Sequence, residues 1–161
     1  MSIQMVAVQS HNCGVLHVYV QGNLEERNGK TIILTCHDIG TNHKTFIRFV
    51  NHPSMADVKN KSIFLHVCVP GQEDNAADFI GDFPTLDQIG EDLTCVLDKF
   101  DVKSCIVFGE GAGANIICRF AVSPTISRIF FASSFLVMDS YLLMRRKNSI
   151  KQVLFFLENS S

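Results

Sequence analysis

From Ser62 onward the chain alternates two kinds of apolar pattern, and this alternation restricts its folds more than any other feature. Residues 62–69 (SIFLHVCV) form an unbroken apolar run that stops at Pro70-Gly71, and residues 104–108 (SCIVF) form another that stops at Gly109. Between them Leu86, Ile89, Leu93, Val96, Leu97 and Phe100 recur at helical spacing, and Thr85-Leu86-Asp87-Gln88 reads as a capping box behind Pro84. A second helix is expected over 112–122, where Ala114, Ile117, Cys118 and Ala121 give a face small enough to pack closely on a sheet. A further strand is expected over 128–132. Strand, helix, strand, helix, strand is the α/β pattern with right-handed crossovers, and continuous rather than alternating apolar runs suit a mostly parallel sheet flanked by helices.

Upstream, residues 15–20 (VLHVYV) and 31–36 (TIILTC) read as two more strands separated by a polar turn from Gly22 to Gly29. A chain of 161 residues has room for one core. Its net charge of -2 supplies no basic stripe for a phosphate backbone, the one dense cationic run being Arg145-Arg146-Lys147, so nucleic acid is not an expected partner. The six cysteines never form CxxC and sit mostly in apolar runs, as buried free thiols do in a reducing compartment. Residues 1–13 lack the charged start and apolar centre of a signal peptide, and the cytoplasm is the expected location.

The tail is less regular. Residues 129–138 are too few for a membrane span, which needs about 20 apolar residues, so an edge strand is expected there and no transmembrane segment. Ile150, Val153, Leu154 and Leu157 make an amphipathic helix behind the basic triplet, which leaves peripheral membrane contact open beside packing on the domain itself. The expected division is a partial domain over 1–134 and a divergent tail over 135–161.

Gly109-Glu110-Gly111-Ala112-Gly113 stands between a strand and a helix, where α/β hydrolases place the G-x-S-x-G elbow. There a central serine occupies a strained turn, and the flanking glycines remove side chains that would strike the neighbouring strand and helix. Here the centre is Gly111, which keeps the backbone option and offers no nucleophile. These five residues are therefore read as a vestigial elbow. His11, His17, His37, His43, His52 and His66 all precede it, whereas the hydrolase triad runs serine, acid, histidine along the chain. No catalytic residue is assigned, although a residual esterase-like activity stays open as an alternative.

Gly109, Gly111 and Ala114 also satisfy the dinucleotide pattern G-x-G-x-x-[GA], but they do not follow a first strand and no acidic residue ends the next one. A dinucleotide-binding module is a second alternative, and no cofactor is expected. His37-Asp38-Ile39-Gly40 matches the HDIG of helical metal phosphohydrolases; placed directly after TIILTC, it reads instead as a vestigial oxyanion loop. Cys36, His37, His66 and Cys68 have ligand chemistry without the spacing of a zinc module, so no metal is expected.

The segments TIILTCHDIGTNHKTF, HVCVPGQEDNAADF, PTLDQIGEDL and KFDVKSCIVFGEGAGANIICRFA together resemble the N-myc downstream-regulated (NDRG) family, over roughly residues 15–122. The resemblance implies the N-terminal part of an α/β-hydrolase-like fold without enzymatic activity. It implies a cytoplasmic protein that binds other proteins in signal transduction, stress response or differentiation. Two departures stand out. The family commonly has Asp two residues before the Pro of PGQ, where this chain has Cys68, and its members continue through a cap region and further strands after the likeness here fades past Pro124. A short or truncated member is thus expected, with an exposed sheet edge prone to self-association.

Overall fold

The computed structural model describes residues 1–77 and 81–122 and the backbone of 129–135. Six strands are formed by the described residues: β1 (Ile3–Gln9), β2 (Val15–Gln21), β3 (Thr31–Cys36), β4 (Ser62–Cys68), β5 (Cys105–Glu110) and β6 (Ile129–Phe135). They make one sheet in the order β1-β2-β4-β3-β5-β6. The β4–β3, β3–β5 and β5–β6 pairings are parallel, while β1–β2 and β2–β4 are antiparallel. The expected α/β architecture is therefore present as a mixed sheet whose parallel part carries the helices.

Side-chain alternation explains the layers. Ile32, Leu34, Ile63, Leu65, Cys105 and Val107 point to the face covered by α3 (Leu86–Lys99) and α4 (Ala112–Val122). Ile33, Phe64, Ile106 and Phe108 point to the other, where α1 (Lys44–Val50) and α2 (Ala56–Asn60) add Phe46, Phe49, Val50 and Val58. Strands buried on both faces are apolar at most positions, and β4 is buried throughout with Ser62 and His66 as its polar residues. The chain moves one way across the sheet from β3 to β4 and back the other way to β5, so crossovers of one hand put their helices on opposite faces.

Helix α3 starts as its sequence predicts. Thr85 accepts from the Gln88 backbone, and the Gln88 side chain accepts from the Thr85 backbone at 2.8 Å. The close approach of α4 to α3 falls at Gly90, where an added Cβ would stand 3.2 Å from the Ile116 carbonyl oxygen.

Four elements depart from the sequence reading. Strand β1 is an addition: it pairs antiparallel with β2 at the sheet edge, and Val8 is its one fully buried residue. Helices α1 and α2 were not expected, being seven and five residues long, too short to display a helical period. Strand β5 runs past the expected stop at Phe108 to include Gly109 and Glu110. Arg128, at the start of the expected last strand, the basic triplet and the amphipathic segment 150–157 lie outside the described residues, as does the tail after Phe135. Among the described residues, no helix is long and apolar enough to cross a membrane.

The β1–β2 hairpin is tied down by a buried carboxylate on α3. Asp92 accepts from three successive backbone amides, those of His11 at 3.2 Å, Asn12 at 2.8 Å and Cys13 at 2.7 Å, and from the Asn12 side chain at 3.0 Å. Burial alone would raise its pKa; these donors outweigh burial and hold it below the usual carboxylate value. Asp92→Ala leaves those amides without their acceptor and is expected to cost about 3 kcal/mol, read as a lower urea midpoint. Unchanged stability would mean that the hairpin is held by its strand pairing alone.

Candidate functional site

The two segments singled out from the sequence meet at the C-terminal end of the parallel strands. Cys36 and Gly109 are register partners on adjacent β3 and β5, so the loop His37, Asp38, Ile39, Gly40 and the turn at Gly111 leave the sheet side by side. Gly109 and Glu110 finish β5, Glu110 being buried; Ala112 and Gly113 open α4; Gly111 alone makes the turn, with φ +55.

Each glycine answers a specific approach. A Cβ on Gly109 would lie 2.6 Å from the backbone of Ala114, and one on Gly113 would lie 2.1 Å from the Cys36 carbonyl oxygen and 2.4 Å from that of His37. The flanking glycines thus press α4 against the ends of β3 and β5, as the elbow pattern requires. At Gly111 the obstruction is a side chain: an added Cβ would fall 2.1 Å from Cγ and Oδ1 of Asp38 and 2.2 Å from its Oδ2. The volume that a central nucleophile would use is filled by the Asp38 carboxylate.

Asp38 Oδ1 accepts from the backbone N–H of Ala112 at 2.7 Å and of Ile39 at 2.8 Å. In an α/β-hydrolase elbow the oxyanion hole is built from the amide after the nucleophile and one from the loop after β3. Those two positions here are Ala112 and Ile39. The favourable end of the α4 dipole, which would attract a substrate oxyanion or a dinucleotide pyrophosphate, already faces a carboxylate from the same chain.

His37 has no free basic nitrogen. Its Nε2 accepts from the Val69 amide at 2.9 Å, so Nδ1 carries the proton and donates to the Asp38 carbonyl oxygen at 2.8 Å. Burial lowers its pKa and keeps the ring neutral. The HDIG segment is a loop after a strand, with His37 holding the ends of β3 and β4 together.

His66 and Cys68, weighed with Cys36 and His37 as soft ligands, do not join them in a site. His66 bonds Thr35 Oγ1 at 2.7 Å through Nδ1 and Gln21 Oε1 at 3.1 Å through Nε2, linking β3, β4 and β2. Cys36 and Cys68 are buried, and burial raises their thiol pKa values to about 12 and about 11. Among the described residues no cluster of three metal-ligating side chains occurs. All six cysteines are free, and Cys118 departs from the expected burial by lying exposed on α4.

Sequence reasoning missed the contacts that join the loop after β3 to the loop after β4. Gly40 donates to Gln72 Oε1 at 2.5 Å, Asn42 Nδ2 donates to Asp74 Oδ1 at 3.1 Å, and Lys44 pairs with Asp74 at 2.5 Å. His17 meets Glu73 at 3.1 Å. The polar run GQEDN after β4 was the available signal, since consecutive amide and acid side chains beside a strand end are suited to gripping a neighbouring loop.

Acid should loosen this region. Burial pushes His66 down to about 3 and His43, stacked on Tyr19 with centroids 3.3 Å apart, down to about 4. Both lie below the unfolded imidazole at about 6.5, so the unfolded chain takes up protons first as pH falls. Their contribution is complete above pH 6.5 and is lost on descending through about 4 for His43 and about 3 for His66. Unfolding free energy is expected to drop by on the order of 1 kcal/mol per pH unit for each imidazole below pH 6. A flat urea midpoint between pH 7 and 4 would contradict this.

Strand order, covered parallel strands and a glycine elbow facing the loop after β3 define an α/β-hydrolase-fold protein. Solved structures agree: a metagenomic epoxide hydrolase from hot environments matches with a TM-score of 0.61 at 16% identity, over 82% of this chain and 41% of that one. The carboxylesterase CesB of Bacillus subtilis matches with a TM-score of 0.62 at 15% identity, over 82% and 42%. Within that class the chain belongs to the Ndr family, whose model matches residues 6–129. It is 81% identical over 121 residues to the uncharacterized Caenorhabditis elegans protein ZK1073.1, covering 75% of this chain and 37% of that protein. Protein NDRG3 of Xenopus laevis is 39% identical over 113 residues, covering 68% and 30%. The chain therefore spans about a third of the length of these relatives.

Proposed function

We propose that this chain is a non-catalytic α/β-hydrolase-fold protein whose vestigial elbow and oxyanion loop are retained as structure. Its role on this reading is to bind other proteins in the cytoplasm, in signalling, stress response or differentiation. The observation that carries the reading is Asp38: one carboxylate accepts from the Ala112 and Ile39 amides and overlies the Cβ position of Gly111. A hydrolase needs that position for a nucleophile and those amides for the developing oxyanion.

Incubation with a fluorophosphonate followed by intact-mass measurement tests the proposal. An unmodified chain is expected. A stoichiometric adduct on any residue of 37–40 or 109–113 would reverse it in favour of an esterase-like enzyme. Calorimetry with nicotinamide dinucleotides addresses the other alternative; no heat of binding is expected, because Asp38 holds the helix end that a pyrophosphate requires.

Self-association belongs to the same proposal. Edge strand β1 exposes Ile3 and Met5, about half of each being accessible, beside a backbone edge that pairs with no further strand among the described residues. Sedimentation velocity should show mass rising with concentration, and a monomer at all concentrations would remove this part.

A further inference from the structure

An open cleft of about 360 Å³ lies beside the Asp38 site, lined by Gly40, Thr41, Asn42, Thr45, Arg48 and Gln72. Among the described residues its lining contains a full positive charge and no carboxylate. Several of its polar groups are already committed: Thr41 donates to the Asp38 carbonyl oxygen, and the Asn42 amide bonds Asp74 and the Lys44 backbone. Lys44, the nearest other cation in sequence, is neutralised by Asp74.

Three donors are left over. Because the Gly40 N–H must meet an acceptor, Gln72 presents Oε1 to it, and its Nε2 protons remain for the cleft. Thr45 is 93% buried yet lines the cleft, and its hydroxyl makes no hydrogen bond among the described residues. Arg48, one turn along α1 from Thr45, is exposed and has no ion-pair partner among the described residues. A guanidinium, an amide and a hydroxyl reaching in from two segments suit an oxyanion with acceptor atoms in more than one plane.

We propose that this cleft binds a small phosphate monoester, with Arg48 supplying the charge and Thr45 and Gln72 the additional donors. A tetrahedral dianion offers three oxygens to three separate donors, whereas a carboxylate offers two in one plane and half the charge. The proposal does not depend on the Asp38 site being inactive, since none of its donors belongs to the elbow.

The test is titration of the 15N-labelled 161-residue chain with glycerol 3-phosphate, reading backbone amide shifts. Saturable shifts are expected at Gly40, Thr41 and Gln72, with inorganic phosphate moving the same peaks and acetate failing to saturate them. Arg48→Gln should raise the Kd by at least about ten-fold while leaving the melting temperature unchanged, because the side chain makes no other hydrogen bond or ion pair among the described residues. The proposal is overturned by an absence of saturation, by equal affinity in Arg48→Gln, or by acetate binding as well as phosphate. Binding to phosphate headgroups on vesicles without binding to glycerol 3-phosphate overturns it as well. Shifts centred on Ile39 and Ala112 instead would place the anion in the Asp38 site and overturn both readings.

Discussion

Gly113→Ala should be the most damaging single methyl that can be added to this chain. The new Cβ would stand 2.1 Å from the Cys36 carbonyl oxygen and 2.4 Å from that of His37, distances at which atoms cannot coexist. Neither obstacle is a flexible side-chain end. Cys36 is paired with Gly109 in the sheet, and His37 is fixed by the Val69 amide, so relief requires α4 to slide off the ends of β3 and β5. Ile116, Ile117 and Phe120 would lose packing in the core as the helix moved. The expected loss is about 4–5 kcal/mol, a large share of the roughly 5–15 kcal/mol that a domain has in total. Chemical denaturation should show it directly. A loss below about 1 kcal/mol would mean that α4 does not approach β3 as closely as described.

Gly111→Ser should have the second largest effect, for a different reason. Its φ of +55 lies in the left-handed region, which costs a residue with a Cβ about 1 kcal/mol or more. The larger cost comes from Asp38, whose carboxylate occupies the space and would have to give up its bonds to Ala112 and Ile39. Together these predict a loss of about 3–4 kcal/mol. A double-mutant cycle identifies the cause: with Asp38→Ala already in place the serine should cost at least about 1 kcal/mol less. Additive effects would show that Asp38 is not the obstacle. Ester hydrolysis should not rise in Gly111→Ser, because the neighbouring imidazole of His37 has its lone pair engaged by the Val69 N–H. A rise would mean that His37 can release Val69 and serve as a base.

Much of this was legible in the sequence, and the pattern of what was not is physical. Strands β3, β4 and β5 announce themselves because burial on both faces demands unbroken apolar runs, and α3 does so through its period and the Thr85 and Gln88 cap. Strand β1 sits at an edge where most positions face solvent, so its apolar content reports little. Its anchor, Asp92, lies about 80 residues away in the chain. The elbow glycines were readable one by one, since each answers a local backbone constraint. The filling of the site was not: Asp38 reaches Ala112 across 74 positions, and HDIG as text does not say where its carboxylate points. The imidazoles of His37 and His66, weighed as ligands on composition, turned out to be spent on holding strands together.

The Asp38 carboxylate stands where the hydrolase chemistry of this fold would occur. Release of p-nitrophenol from a panel of activated esters tests it most directly, with the parent chain compared with Asp38→Ala. The parent is expected to stay at the buffer rate for every ester. Turnover by the parent that co-purifies with the chain and is abolished in Asp38→Ala would contradict it, because Asp38 would then take part in catalysis rather than fill its site.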